Sequence, residues 1–390
     1  MKLKKTRKNI SLHEPIFSGL EKKYLNDCLD SSWVSTSGKY IKKFENAIKK
    51  FLDVKHAIAC NSGTSSLHIS LILAGVKAKD EVIVPTVTFI APINTVRYID
   101  ANPIFMDCDN YLNIDMDKTI EFLKKETIYK NGFTINKKSK RIIKAIIVVH
   151  VYGNAVNLEK IKGLCSKRNI KIIEDSSESL GTIYSGKIIQ SKHTGTIGDI
   201  GCLSFNGNKI ITSGGGGMIL LNSDQLAKKA RYLIKQAKDD ELCFIHNSVG
   251  YNYAMTNIHA AIGFAQFQKI REVLRKKRNT HKLYSNLLMD NKNTSLLFAP
   301  EYSESNYWLN ILMLKRPLKS KKNKLMNLLI KNKIDVRPIW QLNHLQKEYK
   351  NCQKYKITNA YKMINSSICL PSGYNLMEND LKRIVEIING

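Results

Sequence analysis

The sequence predicts an α/β fold with two domains: a large domain built around a mostly parallel central sheet, and a smaller C-terminal α+β domain. Residues 142–152 are apolar almost throughout, as is typical of a strand buried on both faces of a parallel sheet. Short apolar runs also alternate with stretches of helical periodicity, which favours strand–helix–strand units. At 390 residues the chain is long enough for both domains. We place a loose basic arm at 1–14, the large domain at 15–262 and the small domain at 263–390.

Apolar periodicity places the individual elements along the chain. In the large domain we expect helices at 16–29, 40–52, 67–75, near 120–123, over about ten residues from 158, and at 225–238 and 258–267. The strands expected there are 57–60, 81–85, 102–107, 142–152, 170–173, the run ending at 205, and 218–221. In the small domain we expect helices at 270–288 and 318–332 and strands at 306–314 and 334–340. The polar stretch 109–140 is otherwise expected to be an exposed loop.

The formal net charge of +29 raises the question of nucleic-acid binding. The basic residues are spread along the chain, often beside Asn and Ile, and we find no helix-turn-helix pattern, zinc spacing or RNP-type aromatic motif. A compositional preference for lysine explains the charge, so we expect no nucleic-acid partner. The positive field nevertheless favours anionic ligands, including a nucleotide-linked sugar.

Eight cysteines are spaced singly, and no two form a C-x-x-C pair. We therefore expect reduced thiols rather than disulfides or a zinc site, and no metal. No apolar run reaches the roughly 18 residues of a membrane span, and no apolar stretch follows the basic start of the chain. These features predict a cytoplasmic protein without a signal peptide or a membrane association.

A polar turn at 61–66 joins the predicted strand 57–60 to the helix that follows. A helix begins with N–H groups that have no partner inside it, and its dipole favours negative charge there. Gly63 and Thr64 are therefore candidates for binding an anionic group. Ser and Thr also serve as ordinary N-caps, so the pattern alone leaves both explanations open.

Candidate ligand-binding side chains follow two further strands. Asp175 and Glu178 lie just after the predicted strand 170–173, at the edge where α/β folds place ligands. The alternative for Asp175 is that it caps the next helix. Phe89 follows the strand 81–85, and its ring is either part of the core or available to a ligand.

One lysine differs in context from the many others. Lys209 ends the turn 206–209 between two apolar runs, and four glycines follow at 214–217. Glycine lets the backbone pass close to a bound group. A lysine in a partly desolvated pocket acts as an amine nucleophile toward carbonyls. The residues alone also allow an ordinary solvated loop.

The segment around Lys209 resembles the cofactor-lysine segment of the DegT/DnrJ/EryC1/StrS family, the pyridoxal-phosphate (PLP) nucleotide-sugar aminotransferases. In that family a Ser-Phe pair, here Ser204-Phe205, precedes the cofactor lysine, and a Thr/Ser- and Gly-rich run follows it. The resemblance extends over about residues 10–390, with the motifs in the right order. It implies a PLP-dependent aminotransferase of fold type I.

The resemblance assigns cofactor roles to the candidate residues. Lys209 would hold PLP covalently and shuttle the proton in catalysis, and Asp175 would keep the ring nitrogen protonated. Glu178 would lie close to the ring hydroxyl and the reacting centre, and Phe89 would stack on the ring. The cofactor phosphate would be bound by Gly63, Thr64 and Ser204, and by Asn252 of a neighbouring subunit.

The segment 250–256 resembles the family's Gly-Tyr-Asn-Tyr-Arg-Met motif, which implies a homodimer with shared active sites. The arginine of that motif is Ala254 here, and the effect of this departure is open. For substrate binding we single out Trp33, whose loop lies near the substrate in the family, Arg337, which resembles the family's Arg-Pro pair, and the nearby His344. Alternatively, Trp33 packs in the fold, Arg337 is an exposed charge rather than a fork for a diphosphate, and His344 is a plain loop residue.

Two segments indicate the substrate class. The turn 206–209 and the run 307–310 look most like the branch that aminates UDP-4-keto-6-deoxy-N-acetylhexosamines. We therefore predict transamination of such a sugar with glutamate as amino donor, for surface glycan or polysaccharide biosynthesis. Amination at C3, or of a GDP- or dTDP-linked ketosugar, is compatible with the same residues. Family members that catalyse dehydration carry His in place of the lysine, so Lys209 argues against that chemistry.

Overall fold

The structure is a computed structural model that describes residues 9–240, 242–315 and 319–390. The helices are α1 (Leu20–Asp30), α2 (Lys39–Leu52), α3 (Gly63–Leu73), α4 (Ala91–Arg97), α5 (Met116–Lys125), α6 (Lys162–Lys167), α7 (Asp224–Ile234), α8 (Asn257–Phe267), α9 (Ile270–Leu287), α10 (Lys319–Lys331), α11 (Asn359–Ser366) and α12 (Glu378–Asn389). The strands are β1 (His56–Cys60), β2 (Glu81–Pro85), β3 (Asn102–Met106), β4 (Thr127–Lys130), β5 (Phe133–Asn136), β6 (Ile143–Val149), β7 (Lys171–Asp175), β8 (Ile183–Ser185), β9 (Gln190–His193), β10 (Ile200–Ser204), β11 (Gly217–Leu221), β12 (Thr294–Leu296), β13 (Ser303–Glu304), β14 (Asn310–Leu314), β15 (Arg337–Pro338), β16 (Lys354–Tyr355) and β17 (Ser367–Leu370).

The large sheet confirms the predicted α/β class. Its strand order is β1-β11-β10-β7-β6-β2-β3-β16, and every neighbouring pair is parallel except the two that include β11. Strand β1 is antiparallel to β11, which is antiparallel to β10, so β1 runs in the same direction as β10. The carboxyl ends of β1, β2, β7 and β10 therefore meet at one edge of the sheet, which is where such folds place their ligands.

The sheet is covered on both faces. Side chains of β6 alternate between two separate cores: Ile147 and Val149 pack into one, and Ile146 and Val148 pack into the other. Because both faces of the strand are buried, its residues are apolar without the alternation of a half-exposed strand. This packing explains the continuous apolar run that the sequence shows at this point.

Glu174 fixes the strand that carries Asp175. Its carboxylate accepts hydrogen bonds from the backbone N–H groups of Gly195 (2.8 Å) and Ile197 (2.6 Å) and lies 2.9 Å from Nε2 of His150. Burial acts to raise the pKa of Glu174, but the His150 contact and the backbone N–H groups outweigh it and lower the pKa below its ordinary value. A charged, fully hydrogen-bonded carboxylate thus holds the end of β7 in place.

The small domain is built on the antiparallel sheet β12-β14-β17-β15. Part of the predicted N-terminal arm belongs to this domain. Ile10 is buried in its core and bonds to the backbone of Lys333 and Asp335, and the carbonyl of Leu12 accepts a hydrogen bond from Ser372. The expectation of a loose arm is therefore wrong for residues 9–14, because Ile10 is buried and the backbone of Ile10 and Leu12 is hydrogen-bonded to the small domain. Residues 1–8 lie outside the described part.

The chain after 263 also returns to the large sheet. Strand β16 pairs in parallel with β3, at the edge of that sheet. A boundary at 262/263 therefore assigns β16 to the small domain although this strand belongs to the large sheet. Trp340 and Trp308 likewise extend from this part of the chain into the cavity of the large domain.

The stretch 109–140, expected to be mainly loop, contains α5 and the hairpin β4–β5. The hairpin turns at Asn131 and Gly132, whose φ values of 52° and 79° are both in the left-handed region. An Asn-Gly pair is favoured at such a turn, so the sequence carried this pattern. Elsewhere several predicted elements are shorter in the structure; for example, β15 spans only Arg337–Pro338 of the expected strand 334–340.

The described ranges contain no candidate membrane span and no candidate metal cluster. None of the helices there combines the length and the apolar character needed to cross a bilayer. Likewise, no group of three or more His, Cys, Asp or Glu side chains in these ranges is arranged to hold a metal ion.

Candidate active site

An open cavity of about 340 Å³ lies at the edge where the carboxyl ends of β1, β2, β7 and β10 meet. The sheet direction brings together motifs that are far apart in the sequence, because each follows one of these parallel strands. The predicted site residues that line the cavity are Gly63, Thr64, Phe89, Asp175, Glu178, Ser204 and Lys209.

The start of α3 forms one wall. Ser62 caps the helix, its Oγ accepting a hydrogen bond from the N–H of Ser65 at 3.0 Å. The capping and anion-binding explanations are therefore compatible, since a cap at Ser65 leaves the N–H groups of Gly63 and Thr64 without an intrahelical partner. A Cβ atom at Gly63 would lie 2.8 Å from Cβ of Ser204. Glycine is thus required for the helix start to approach the end of β10, which leaves a cradle of N–H and hydroxyl groups.

Asp175 ends β7 inside the cavity. The carboxylate is buried, and Oδ1 accepts a hydrogen bond from the N–H of Ser177 at 3.0 Å. Burial raises the pKa of Asp175, while the Ser177 bonds and the charge of Lys209 act to lower it. The alternative role as a helix cap does not hold, because a turn, and not a helix, follows β7.

Glu178 lies between the backbone of Tyr152 and the side chain of Lys209. Oε2 accepts a hydrogen bond from the N–H of Tyr152 at 2.7 Å, and Oε1 is 3.8 Å from Nζ of Lys209. Tyr152 has a φ of 55°, a conformation uncommon for a bulky residue, at the point where its N–H is offered to Glu178. Burial raises the pKa of Glu178 to about 7, although the charge of Lys209 acts to lower it.

Glu178 should therefore make the stability of the cofactor-free protein depend on pH. A pKa raised from 4.5 to about 7 means that the folded protein holds this proton more tightly than the unfolded chain does. The contribution to the free energy of unfolding is complete below pH 4.5 and is lost as the pH rises through about 7. At about 1.4 kcal/mol per pKa unit the loss is about 3 kcal/mol.

Urea unfolding at a series of pH values would measure this effect. Glu178→Gln, which cannot titrate, should show a smaller loss of stability between pH 4.5 and 8 than the unchanged protein. The exposed Glu348→Gln is the matched control and should follow the unchanged protein. If Glu178→Gln and the unchanged protein have the same pH dependence, the carboxyl group of Glu178 does not titrate in this range.

Lys209 extends from the turn after β10. The turn is closed by a hydrogen bond from its N–H to the carbonyl of Asn206 at 3.0 Å. Only 14% of the lysine side chain is exposed, and Nζ lies 4.4 Å from the ring centroid of Trp308. The amine is thus held in a largely desolvated place beside two carboxylates, which excludes the ordinary solvated loop.

These residues fit PLP, which combines a phosphate, an aromatic ring with a basic nitrogen, and an aldehyde. The cradle formed by Gly63 and Ser204 suits the phosphate. The buried carboxylate of Asp175 suits a protonated ring nitrogen, and Lys209 supplies the amine for the aldehyde. Phe89 is 54% exposed and lines the cavity, so its ring is available for stacking.

Other predicted site residues do not reach the cavity within one chain. Asn252 is exposed, and its backbone carbonyl accepts a hydrogen bond from Asn61 at 3.2 Å. Trp33 is 58% exposed and lines a separate shallow depression beside Gly38. Arg337 is also exposed and forms an ion pair with Asp335 at 3.3 Å.

His344 lies in the interior instead. Nδ1 is 2.6 Å from Oγ1 of Thr86, and Nε2 is 2.9 Å from the hydroxyl of Tyr361. Burial lowers its pKa to about 4. Because both ring nitrogens are engaged within the fold, His344 offers no free nitrogen to a ligand; it connects α11 to the segment after β2.

Sequence reasoning missed an aromatic stack at the cavity. The ring of Tyr152 lies 4.4 Å from that of Trp340, and Trp308 lies 6.2 Å from Trp340. It also missed His13, which lines a small cavity beside Lys209 and Lys277. Neither ring nitrogen of His13 has a hydrogen-bond partner among the described residues, and burial lowers its pKa well below the ordinary value. The only sequence feature that could have drawn attention to the stack is that the chain has just three Trp residues. The contacts themselves join residues far apart in the chain, so no local pattern records them.

Comparison with known proteins gives consistent results. The sequence model of the DegT/DnrJ/EryC1/StrS aminotransferase family matches residues 16–389. The GDP-perosamine synthase of Vibrio cholerae is 35% identical over 387 residues, which cover 97% of this chain and 98% of that protein. A UDP-4-amino-4,6-dideoxy-N-acetyl-beta-L-altrosamine transaminase of Campylobacter jejuni is 28% identical over 362 residues, covering 91% and 90%. The structure of Helicobacter pylori PseC, an aminotransferase involved in the biosynthesis of pseudoaminic acid, superposes with a TM-score of 0.87 at 25% identity, covering 98% of each chain.

Proposed function

This chain belongs to the DegT/DnrJ/EryC1/StrS aminotransferase family, and on that premise we propose that it aminates a GDP-linked 4-keto-6-deoxyhexose, with glutamate as the amino donor. It is a PLP-dependent nucleotide-sugar aminotransferase, as the family is. The observation that carries the choice of substrate is the 35% identity, along nearly the whole of both chains, to a GDP-perosamine synthase.

This proposal replaces the substrate that the sequence motifs favoured. The turn 206–209 and the run 307–310 pointed to a UDP-linked N-acetylhexosamine, but the UDP-sugar transaminase is only 28% identical. The GDP-linked sugar, which was an alternative, is now preferred. Identity along nearly the whole of both chains is a stronger indicator of the substrate than two short segments beside the cofactor lysine.

In the proposed transamination the cavity residues have distinct roles. Bound PLP supplies an electron-accepting ring for the electron pair left when a proton departs from the carbon beside the amine. Lys209 attaches the cofactor, and its amine moves the proton once it is free. Asp175 keeps a proton on the ring nitrogen. Gly63, Thr64 and Ser204 hold the phosphate.

We also propose that the working unit is a homodimer. Asn252 lies outside the cavity of its own chain, as expected if it serves the site of a partner. The loop before it exposes Leu242, Phe244 and Val249, whose burial would favour association. Light scattering should give twice the 44.4 kDa chain mass. A measured mass equal to that of one chain would contradict the shared site.

The location in the cytoplasm stays a prediction.

A panel of nucleotide sugars tests the substrate. With PLP and glutamate present, the GDP-4-keto-6-deoxyhexose should give a kcat/KM at least about tenfold above those of UDP-4-keto-6-deoxy-N-acetylhexosamine and dTDP-4-keto-6-deoxyglucose. NMR of the product should locate the new amine at C4. A higher kcat/KM for the UDP sugar, or an amine at C3, would overturn the proposal. Glutamate alone should convert the absorbance of the bound cofactor to that of its aminated form.

A further inference from the structure

Trp308 contacts the lysine-bearing turn in two ways. Its indole Nε1 donates a hydrogen bond to the carbonyl of Asn208 at 2.6 Å, and its ring centroid lies 4.4 Å from Nζ of Lys209. The first contact fixes the backbone immediately before the lysine. The second places the amine over the face of an aromatic ring, a cation–π contact that favours this position of the amine.

The backbone of Trp308 is in turn hydrogen-bonded to the side chain of Lys277 in α9. Nζ of Lys277 donates to the carbonyl of Trp308 at 2.8 Å and to the carbonyl of Ser372 at 2.5 Å. Lys277 is buried, and no carboxylate of the described residues pairs with it. Burial lowers its pKa well below the ordinary value. Because its partners are backbone carbonyls, the buried Lys277 links α9 to the segments that carry Trp308 and Ser372.

The ring of Trp308 makes its contacts with protein. The residue is only 3% exposed, because Trp340 and Tyr152 lie beside it at 6.2 and 6.0 Å. A residue whose main task was to contact the sugar would present more of its surface to the cavity. The Lys209 amine also lies 3.8 Å from Oε1 of Glu178. Trp308 and Glu178 thus define one place for this amine.

We propose that Trp308 is a positioning residue: its N–H anchors the turn at Asn208, and its ring holds the Lys209 amine in place whenever that amine is not bonded to the cofactor. This inference rests on the proposed aminotransferase function, in which the Lys209 amine is released in the half-reaction with glutamate and is bonded to the cofactor again in the half-reaction with the ketosugar. A free lysine side chain has several rotatable bonds, so an amine without a docking place would spend much of its time away from the reacting carbon.

Chemical labelling of the cofactor-free full chain tests the docking directly. Limited acetylation followed by peptide mass spectrometry gives the rate for Lys209 relative to the exposed Lys124. Trp308→Leu removes both contacts and should raise the relative rate for Lys209 about fivefold or more, since the amine loses its cover. Trp308→Phe keeps an aromatic ring but loses the N–H, so its relative rate for Lys209 should lie between those of Trp308→Leu and the unchanged protein. The matched control is Tyr129→Leu, at an exposed aromatic residue of the β4–β5 hairpin, which should change the rate less than twofold. Equal rates in Trp308→Leu and the unchanged protein would overturn the proposal.

Steady-state kinetics separate positioning from sugar binding. Trp308→Leu should lower kcat about tenfold or more and leave the KM for the ketosugar within about threefold. A raised KM with unchanged kcat would mean that Trp308 is a wall of the sugar site, and would overturn the proposal. Trp308→Phe conserves the stacked ring and serves if the leucine variant does not fold. Labelling uses no substrate, so it decides the role of Trp308 even if the GDP-sugar assignment fails.

Discussion

Replacing Lys209 by alanine is expected to lower kcat by at least about 10⁴-fold, because the proposed mechanism assigns to this one residue both the covalent attachment of the cofactor and the transfer of the proton. The substitution should leave the fold intact. The lysine side chain makes no hydrogen bond within the described residues. Without Lys209, 3.8 Å away, Glu178 can stay uncharged in the interior by keeping a proton, because burial raises its pKa to about 7 and the charge of Lys209 no longer lowers it. Turnover of the ketosugar and the absorbance of bound PLP measure the outcome.

The exposed Lys124→Ala is the matched control for this experiment, and it should retain normal turnover. Circular dichroism should show that both variants are folded. Added PLP should still bind to Lys209→Ala through the phosphate cradle, but without the absorbance of the lysine-bound form. Turnover of Lys209→Ala close to that of the unchanged protein would remove the basis for the proposed mechanism.

Asp175→Asn should lower kcat by about 100- to 1,000-fold, the scale seen when one preorganised electrostatic partner of a reacting group is removed. Asn has the same shape, and its amide oxygen can accept the hydrogen bond from Ser177 that Oδ1 accepts now. The negative charge is lost, however, so the proton on the ring nitrogen is no longer stabilised. The effect should therefore fall on chemistry more than on folding.

The exposed Asp117→Asn, with the same chemical change, is the control for Asp175→Asn and should be indistinguishable from the unchanged protein. The measurements are kcat and the rate at which PLP is lost on dialysis, which should rise in Asp175→Asn. If kcat and cofactor retention were both unaffected, Asp175 would not be the partner of the ring nitrogen.

The parts of the site that follow a strand directly could be predicted from the sequence. Three site residues lie at the end of a strand or within five residues after it: Gly63 after β1, Asp175 at the end of β7 and Lys209 after β10. These three strands run in the same direction. The strands are marked by their apolar runs, and the direction of the sheet brings their carboxyl ends together. Pattern and topology were enough to collect these side chains at one edge, and family resemblance supplied their chemistry.

The fate of His344, Arg337 and Trp33 could not be predicted in the same way. A loop histidine near an arginine has the composition of a binding site, but the fold directs both nitrogens of His344 to Thr86 and Tyr361. Whether a polar side chain faces a cavity or a neighbour depends on partners more than ten residues away, and no local pattern records them. The burial of Ile10 could not be predicted for the same reason, because its hydrogen-bond partners lie more than 300 residues away.

The sequence by itself determined the α/β class, the order of the strands that carry the site, and the lysine, carboxylate and glycine motifs at their ends, because each depends on residues close together in the chain. Only the tertiary structure decided what surrounds them. Trp308 reaches the Lys209 turn from a segment 100 residues away, and Lys277 reaches Trp308 from a separate helix. Such contacts arise when distant segments pack into a common core, where chain distance no longer governs which side chains meet.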